Sequence, residues 1–341
     1  MKAAVSTGIR SIQIKEMETP VPGKNEALIR VDYCGICGSD LHGFLCGDPF
    51  APFPHVFGHE GSGTIAAING ESEDFAVGDR VVFETTKRCG KCKACRENRI
   101  GDCSDIKLIG GHLPGAFAEY VAIPLELLYH VPENISQKTA ALCEPYTISA
   151  RGCAKAEVGA GDRVLILGAG TIALCAVDVV KARGAKAFIA ARNPIRLERA
   201  RRFEPDGIID TASEDLRQRI DELTGGDGCS VILECTGAKN IIEETYELAV
   251  RATRIVMIGM CPEDVSVSHF NVINKELKVF GTQNSYGQFP WVLEKMEQGL
   301  FHEEELLSDV YEYTEAQEAF EFAVSNAGKC GKVMLRFNPD A

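Results

Sequence analysis

The sequence predicts an α/β protein in two parts, a β-rich lobe followed by a doubly wound parallel sheet. Three observations carry that expectation: a length of 341 residues, a strand–helix rhythm that begins near residue 160, and a glycine turn at the first strand of that rhythm. A chain this long divides into two domains or forms one large α/β unit. Its composition, 45% hydrophobic and 25% charged, is that of a soluble globular protein.

Residues 1 to about 150 read as short β segments, "ALIRVDYC", "GSGTIAAI", "DRVVFE" and "AEYVAI", punctuated by Gly and Pro. The rhythm then changes. "DRVLILGAG" is a buried strand entering a turn, and "TIALCAVDVVKARGA" is a helix ending at Gly184. "KAFIAA" is the next strand, with a helix over Asn193–Phe203, and "DGIID" is the third. A helix near 213–224, "CSVILEC", a helix over 239–250 and "TRIVMIG" continue the series. Strands alternating with helices imply a parallel, doubly wound sheet. After "LKVFGT" come helical "FPWVLEKMEQGLF" and "TEAQEAFEFAVSNA", then a closing strand, "GKVMLRF". The expected division is a β-rich domain of residues 1–152 and 290–341 around a nucleotide-binding domain of residues 153–289.

Charge and hydropathy exclude several classes of function. The net charge of −13 argues against nucleic acid as a partner, because phosphate binding needs a basic face. No apolar run approaches the ~20 residues that span a bilayer. The opening "MKAAVSTGIRSIQIKE" lacks the apolar core of a signal peptide, so a cytoplasmic location is expected. In that setting fourteen cysteines favour metal and thiol chemistry over disulfides. Most of them stand beside apolar residues and read as small buried hydrophobes.

"CGKCKACRENRIGDC" is different. Cys89, Cys92, Cys95 and Cys103 follow C-x2-C-x2-C-x7-C, the spacing of four thiolates closing on one tetrahedral ion. Such a set describes a structural zinc site, with an iron–sulfur cluster as the alternative. Lys87, Arg88, Lys91, Lys93, Arg96 and Arg99 surround the thiols, and cations help to keep thiolates ionised.

"LGAGTIA" carries the cofactor argument. Gly168, Gly170 and Ala173 fit G-x-G-x-x-G/A after a strand and at the start of a helix. There the backbone at Thr171 and Ile172 can approach a pyrophosphate. The second strand ends "FIAARNPIR": Ala191 stands where an acid would hold the ribose diol of NAD, and Arg192 follows. An arginine attracts a 2′-phosphate, so NADP(H) is expected over NAD(H).

"CGICGSDLH" gathers Cys37, Ser39, Asp40 and His42 between two glycines, more polar chemistry than a turn requires. With "GHEGSG", the four-cysteine lobe, "EP" at 144–145, "LGAGTIA" and the closing "GKVML" in that order, the chain resembles the zinc-dependent medium-chain alcohol and polyol dehydrogenases over nearly its whole length. The resemblance implies a GroES-like β-rich catalytic domain and a Rossmann domain. It implies one catalytic zinc, held by Cys37, His59 and Glu144, besides the structural one. Glu60 is then a transient ligand or a neighbour of the ion, Asp40 orients His59, and Ser39 and His42 relay the proton or else cap the following helix. Lys332 falls where the family has a cation near the pyrophosphate. The implied reaction oxidises an alcohol made acidic by the metal and passes hydride to a nicotinamide.

A glutamate in "EP" resembles the branch acting on polyols, sugar acids and sugar phosphates. "GDPFAPFPHVFGHE" lacks the charged insert expected for sorbitol, and "TQNSYGQFPW" is polar and aromatic, which leaves threonine-like and inositol-type substrates open. His55 and Tyr146 line the pocket or belong to core or rim. The alternatives are an NAD-dependent zinc alcohol or threonine-type dehydrogenase and a noncatalytic nucleotide-binding relative. Against the last stands the joint presence of Cys37, His59, Glu144 and Ser39. Kinship also implies a homodimer or homotetramer built by extending the nucleotide-domain sheet through "SVSHFNVINKELKVFG".

Overall fold

The structure, a computed structural model, describes residues 1–339; residues 340 and 341, at the end of the expected C-terminal segment, lie outside the described residues. The chain forms two compact units. One holds Met1–Glu144, Asn284–Glu297 and the segment from Leu307 onward; the other holds Pro145–Gln283 and Gln298–Leu306. The breaks differ from the 152/153 and 289/290 positions read from the sequence. Two contacts inside the second unit explain the excursion of 298–306: Tyr146 stacks on Phe301 at 4.5 Å, and the backbone N–H and Nδ1 of His302 each lie 2.8 Å from Asp178.

The first unit is built on a seven-stranded sheet. Its order is Leu307–Glu312, Lys332–Arg336, Glu26–Ile36, Glu60–Asn69, Arg80–Phe83 and Leu128–His130, with Tyr120–Pro124 also paired to Glu26–Ile36. The first two strands are parallel and the remaining pairs antiparallel. Val31 faces Gly63 in this register; a Cβ on Gly63 would lie 2.2 Å from the Arg30 carbonyl oxygen, so only glycine admits the neighbouring strand. Phe44, Phe117 and Phe320 are fully buried, with ring centroids 5.1 and 5.7 Å apart around Phe320. Rings packed this way add about 0.5–1.5 kcal/mol per pair beyond area burial. Register in the closing strand matters for the site, because Val333 opposite Ile36 brings Lys332 alongside the residue before Cys37.

The second unit is a six-stranded parallel sheet in the order Gly207–Asp210, Lys186–Ala191, Arg163–Leu167, Val231–Glu234, Arg254–Met257, Lys278–Gly281. The direction of winding reverses between Arg163–Leu167 and Val231–Glu234, the switch point where such sheets bind ligands. Helix Thr171–Ala182 is buried without a break from Ala173 to Val180. Gly184, at φ +76°, ends that stretch as expected. Lys278–Gly281 closes one edge of the sheet. No helix among the described residues is long and apolar enough to cross a membrane.

Candidate functional site

Strand Glu26–Ile36 runs straight into Cys37, the N-cap of helix Gly38–Cys46. Asp40 occupies the third helical position, is 2% exposed, and accepts the Cys37 N–H at 2.9 Å. This bond satisfies an orphan donor at the helix start. The other oxygen of Asp40 faces His59 Nδ1 at 3.5 Å and accepts the Gly58 N–H at 3.4 Å. Gly58 is obligatory: its φ is +95°, and a Cβ would lie 2.6 Å from the Phe117 ring. Glu60 opens the next strand opposite Gly35, and a Cβ on Gly35 would sit 2.2 Å from Glu60 Oε2. The glycine leaves room for the carboxylate.

One ligand atom each from Cys37, His59 and Glu60 lies within 4.8 Å of the others. Lys332, buried, donates to Glu60 Oε1 at 2.6 Å and to the Ile36 carbonyl at 3.1 Å. Glu60 Oε2 is buried and accepts no hydrogen bond, an uncompensated polar atom of the kind that calls for a ligand. Burial opposes charge on His59, yet Asp40 and Cys37 outweigh it and hold the imidazole well above its ordinary value. Burial likewise opposes the Lys332 ammonium, and Glu60 with Cys37 raises it despite that. Sulfur, imidazole and carboxylate donors, with one carboxylate oxygen unspoken for, fit a zinc ion.

Glu144 lies outside this three-residue group. It is buried in the first turn of helix Cys143–Lys155, and burial drives its carboxyl up to about 7 against the pull of His59. Ser39 and His42 are exposed, three residues apart and so neighbours on one helix face. The cap belongs to Cys37, which leaves Ser39 without the capping role. Lys332 sits on Glu60 within the first unit. No local signal links two residues 272 positions apart.

In the cysteine lobe, strands Thr86–Lys87 and Lys107–Leu108 pair at its base. The four sulfurs lie within 4.8 Å of one another, with Cys92–Cys95 at 3.4 Å and Cys89–Cys95 at 3.9 Å. A tetrahedral ion with Zn–S of ~2.3 Å would set them about 3.8 Å apart, so the lobe fits zinc. The N–H groups of Cys95 and Ser104 pull the Cys92 thiol down to about 5. Four of the six cations expected to do this turn to carboxylates instead: Lys87 to Glu26, Arg88 to Glu126, Lys93 to Glu97, Arg99 to Glu97 and Asp102.

The nucleotide turn has the expected form. Gly168 takes φ +107°, and a Cβ there would press on Thr236 at 3.0 Å. Gly170 N-caps helix Thr171–Ala182 with no side-chain cap, and a Cβ on it would meet nothing within 4 Å. That open space beside a helix N-terminus fits a phosphate. Ala191 ends its strand opposite Asp210. Arg192 is exposed, and Asn193 caps the helix that follows through the N–H groups of Ile195 and Arg196. Tyr146 is a core residue, fully buried and bonded to Asp178 at 2.8 Å. His55 is half-buried, edge-on to Phe57 at 5.2 Å.

Residues 23–133 match the alcohol dehydrogenase GroES-like domain, and residues 171–298 match the zinc-binding dehydrogenase domain. Sorbitol dehydrogenase of Bacillus subtilis is 30% identical, over 98% of this chain and 97% of its own. A crystal structure of an Escherichia coli CFT073 alcohol dehydrogenase complexed with NADH is 29% identical, with a TM-score of 0.93 over 99% of both chains. A zinc-binding dehydrogenase of Sinorhizobium meliloti bound to NADP is 26% identical, with a TM-score of 0.90 over 98% of this chain and 99% of that one. With both lobes of the fold and both donor sets in place, the chain belongs to the zinc-binding dehydrogenases with a GroES-like domain, oxidoreductases that act on CH–OH groups with NAD(P).

Proposed function

We propose that this dehydrogenase oxidises a secondary hydroxyl of a polyol, sugar acid or sugar phosphate to a ketone, and reduces the ketone in reverse, with NADP(H) preferred over NAD(H). The observation that carries the reading is the Cys37–His59–Glu60 cluster with its unpartnered Glu60 Oε2, next in the chain to exposed Ser39 and His42. Cys37 and His59 would hold one zinc together with a carboxylate, Glu60 or Glu144. Cys89, Cys92, Cys95 and Cys103 would hold a second. Zinc in the first site supplies a Lewis acid for the substrate oxygen.

The chain's own groups do the rest. Asp40 faces Nδ1 of His59 and leaves Nε2 as the lone-pair donor. Lys332 neutralises one oxygen of Glu60. Ser39 takes the substrate's hydroxyl proton and His42, one turn on, passes it to solvent. Gly168, Gly170, Thr171 and Ile172 cradle the pyrophosphate, while Ala191 leaves space for a 2′-phosphate and Arg192 binds it. Arg192→Ala is expected to weaken NADPH binding about tenfold while sparing NADH; equal effects on both would remove Arg192 from that role.

The resemblance to sorbitol dehydrogenase over the full chain supports a polyol-type substrate. The open edge strand Lys278–Gly281 and the exposed Val267, Phe270 and Ile273 beside it support a homodimer or homotetramer assembled through that edge. Light scattering of Phe270→Asp would then report a smaller particle than the parent protein. A chain that carries fourteen cysteines in thiol form supports a reducing, cytoplasmic location. The decisive measurement counts zinc by elemental analysis while NADPH and NADH are titrated by fluorescence. Near two zinc ions per chain with tighter NADPH binding is expected; one zinc and no cofactor preference overturns the reading.

A further inference from the structure

We propose that Phe50 and His112 form a recognition subsite for an uncharged polyhydroxylated chain: the phenyl ring takes its C–H face, and the imidazole Nε2–H donates to one of its oxygens. The inference rests on the dehydrogenase reading above and narrows its substrate class.

Phe50 is 65% exposed, yet it is not loose. Its N–H donates to Asp48 Oδ1 at 2.8 Å, and the Ala51 N–H donates to the Asp48 carbonyl at 3.1 Å, which tightens the turn that displays the ring. The ring meets that of His112 at 5.1 Å with an interplanar angle of 35°. His112 Nδ1 accepts the Leu108 N–H at 3.2 Å. An acceptor at Nδ1 puts the proton on Nε2, so the ring presents one directed donor.

Both rings ride on the segments that carry the metal-ligand cluster. Phe50 follows helix Gly38–Cys46, whose N-cap is Cys37. The His112 loop is fastened to the residues before His59: Gly115 N–H donates to the Val56 carbonyl and Ala116 N–H to that of Gly58, each at 2.8 Å. A Cβ on Gly110 or Gly115 would lie 2.5 or 2.3 Å from the Gly58 oxygen, so the loop is pressed onto the neighbour of a ligand.

The chemistry selects the occupant. A displayed apolar ring favours a C–H surface, and a neutral directed donor favours a hydroxyl oxygen; small-ligand sites combine aromatic walls with a few such polar groups. Neither "GDPFAPF" nor "LIGGHLPG" contains lysine or arginine, and the first contains Asp48. This is the wrong charge for a phosphate or carboxylate and the right surface for a neutral hexitol.

The test uses zinc-loaded enzyme with sorbitol, mannitol and galactitol, and cyclohexanol as a secondary alcohol with a single hydroxyl. The ratio of kcat/KM for the best hexitol to that for cyclohexanol is expected to fall about tenfold in Phe50→Ala and in His112→Ala, mostly through KM. Phe50→Trp, which keeps an aromatic face, should restore it. Phe50→Leu, which keeps the bulk without the ring, should not, and this separates stacking from folding. A ratio unchanged in both alanine variants overturns the subsite. So does wild-type enzyme that turns over cyclohexanol or a sugar acid and no hexitol, while the dehydrogenase reading stands. Wild-type enzyme inactive on every alcohol overturns the dehydrogenase reading itself.

Discussion

Four sulfurs between Cys89 and Cys103 make one donor cluster; a sulfur from one strand end, an imidazole from a tight turn and a carboxylate from the next strand make the other. The first is local, chemically uniform and fully matched, with backbone N–H groups aimed at its sulfurs. The second is assembled over long range and deliberately unequal. One carboxylate oxygen is pinned by Lys332 and its partner is left without a hydrogen bond. The contrast teaches what separates a scaffold from a reactive centre. A scaffold satisfies every donor, whereas a centre keeps one coordination position and one lone pair uncommitted.

Removing a donor from the mixed cluster alone is the harshest way to break the comparison. Cys37→Ser is expected to lower kcat/KM by roughly 10⁴-fold, the several kcal/mol that a Lewis acid supplies, while the lobe keeps its ion by elemental analysis. Retained activity in that variant would return Cys37 to a turn thiol. The next effect is on stability. Lys332→Ala strands the Glu60 carboxylate in a buried site and should cost about 3–5 kcal/mol in urea unfolding. Arg88→Ala, beside the lobe, removes an ion pair whose partners are 28% and 48% exposed and should cost at most about 1 kcal/mol. Equal losses would erase the distinction between the two regions.

A milder change sharpens it. Asp40→Asn keeps the shape behind His59 but removes its charge, and metal affinity measured by competition with a chelator should fall about 10–100-fold. The smallest expected effect is a pH slope. Because the Cys92 thiol is drawn from its ordinary value of 9.0 down to about 5, its contribution is complete above pH 9. It fades as pH falls and is gone once pH passes below about 5. Stability of metal-free protein followed from pH 9 to 5 should show this decline, and Cys92→Ser should flatten it.

Legibility in the sequence follows the same divide. The cysteine spacing and the "LGAGTIA" turn are contiguous, so residue order alone announces them, and the strand–helix rhythm from Arg163 to Met257 appears as read. Cys37, His59 and Asp40 were legible through kinship, and the structure gives them a physical account in one shared carboxylate. The partnership of Lys332 with Glu60 was not legible. It depends on the register of Lys332–Arg336 against Glu26–Ile36, and strand register between distant segments leaves no local trace. The excursion of 298–306 was missed for a similar reason, since Phe301 and His302 find Tyr146 and Asp178 only after folding. Cations around the thiols were visible, but their commitment to nearby carboxylates was not.

The place of Lys332 in the chain also sets a clock. Glu60 leaves the ribosome 272 residues before the lysine that neutralises it, on the order of 15–50 s at ordinary synthesis rates. Through that interval the carboxylate lacks the ammonium of Lys332, and the strand Glu26–Ile36 lacks its neighbour Lys332–Arg336. The sheet of the second unit, whose last strand ends at Gly281, can be complete while the first still waits. The sheet that carries the nucleotide turn is thus encoded entirely ahead of the lysine that balances the charge of the reactive centre.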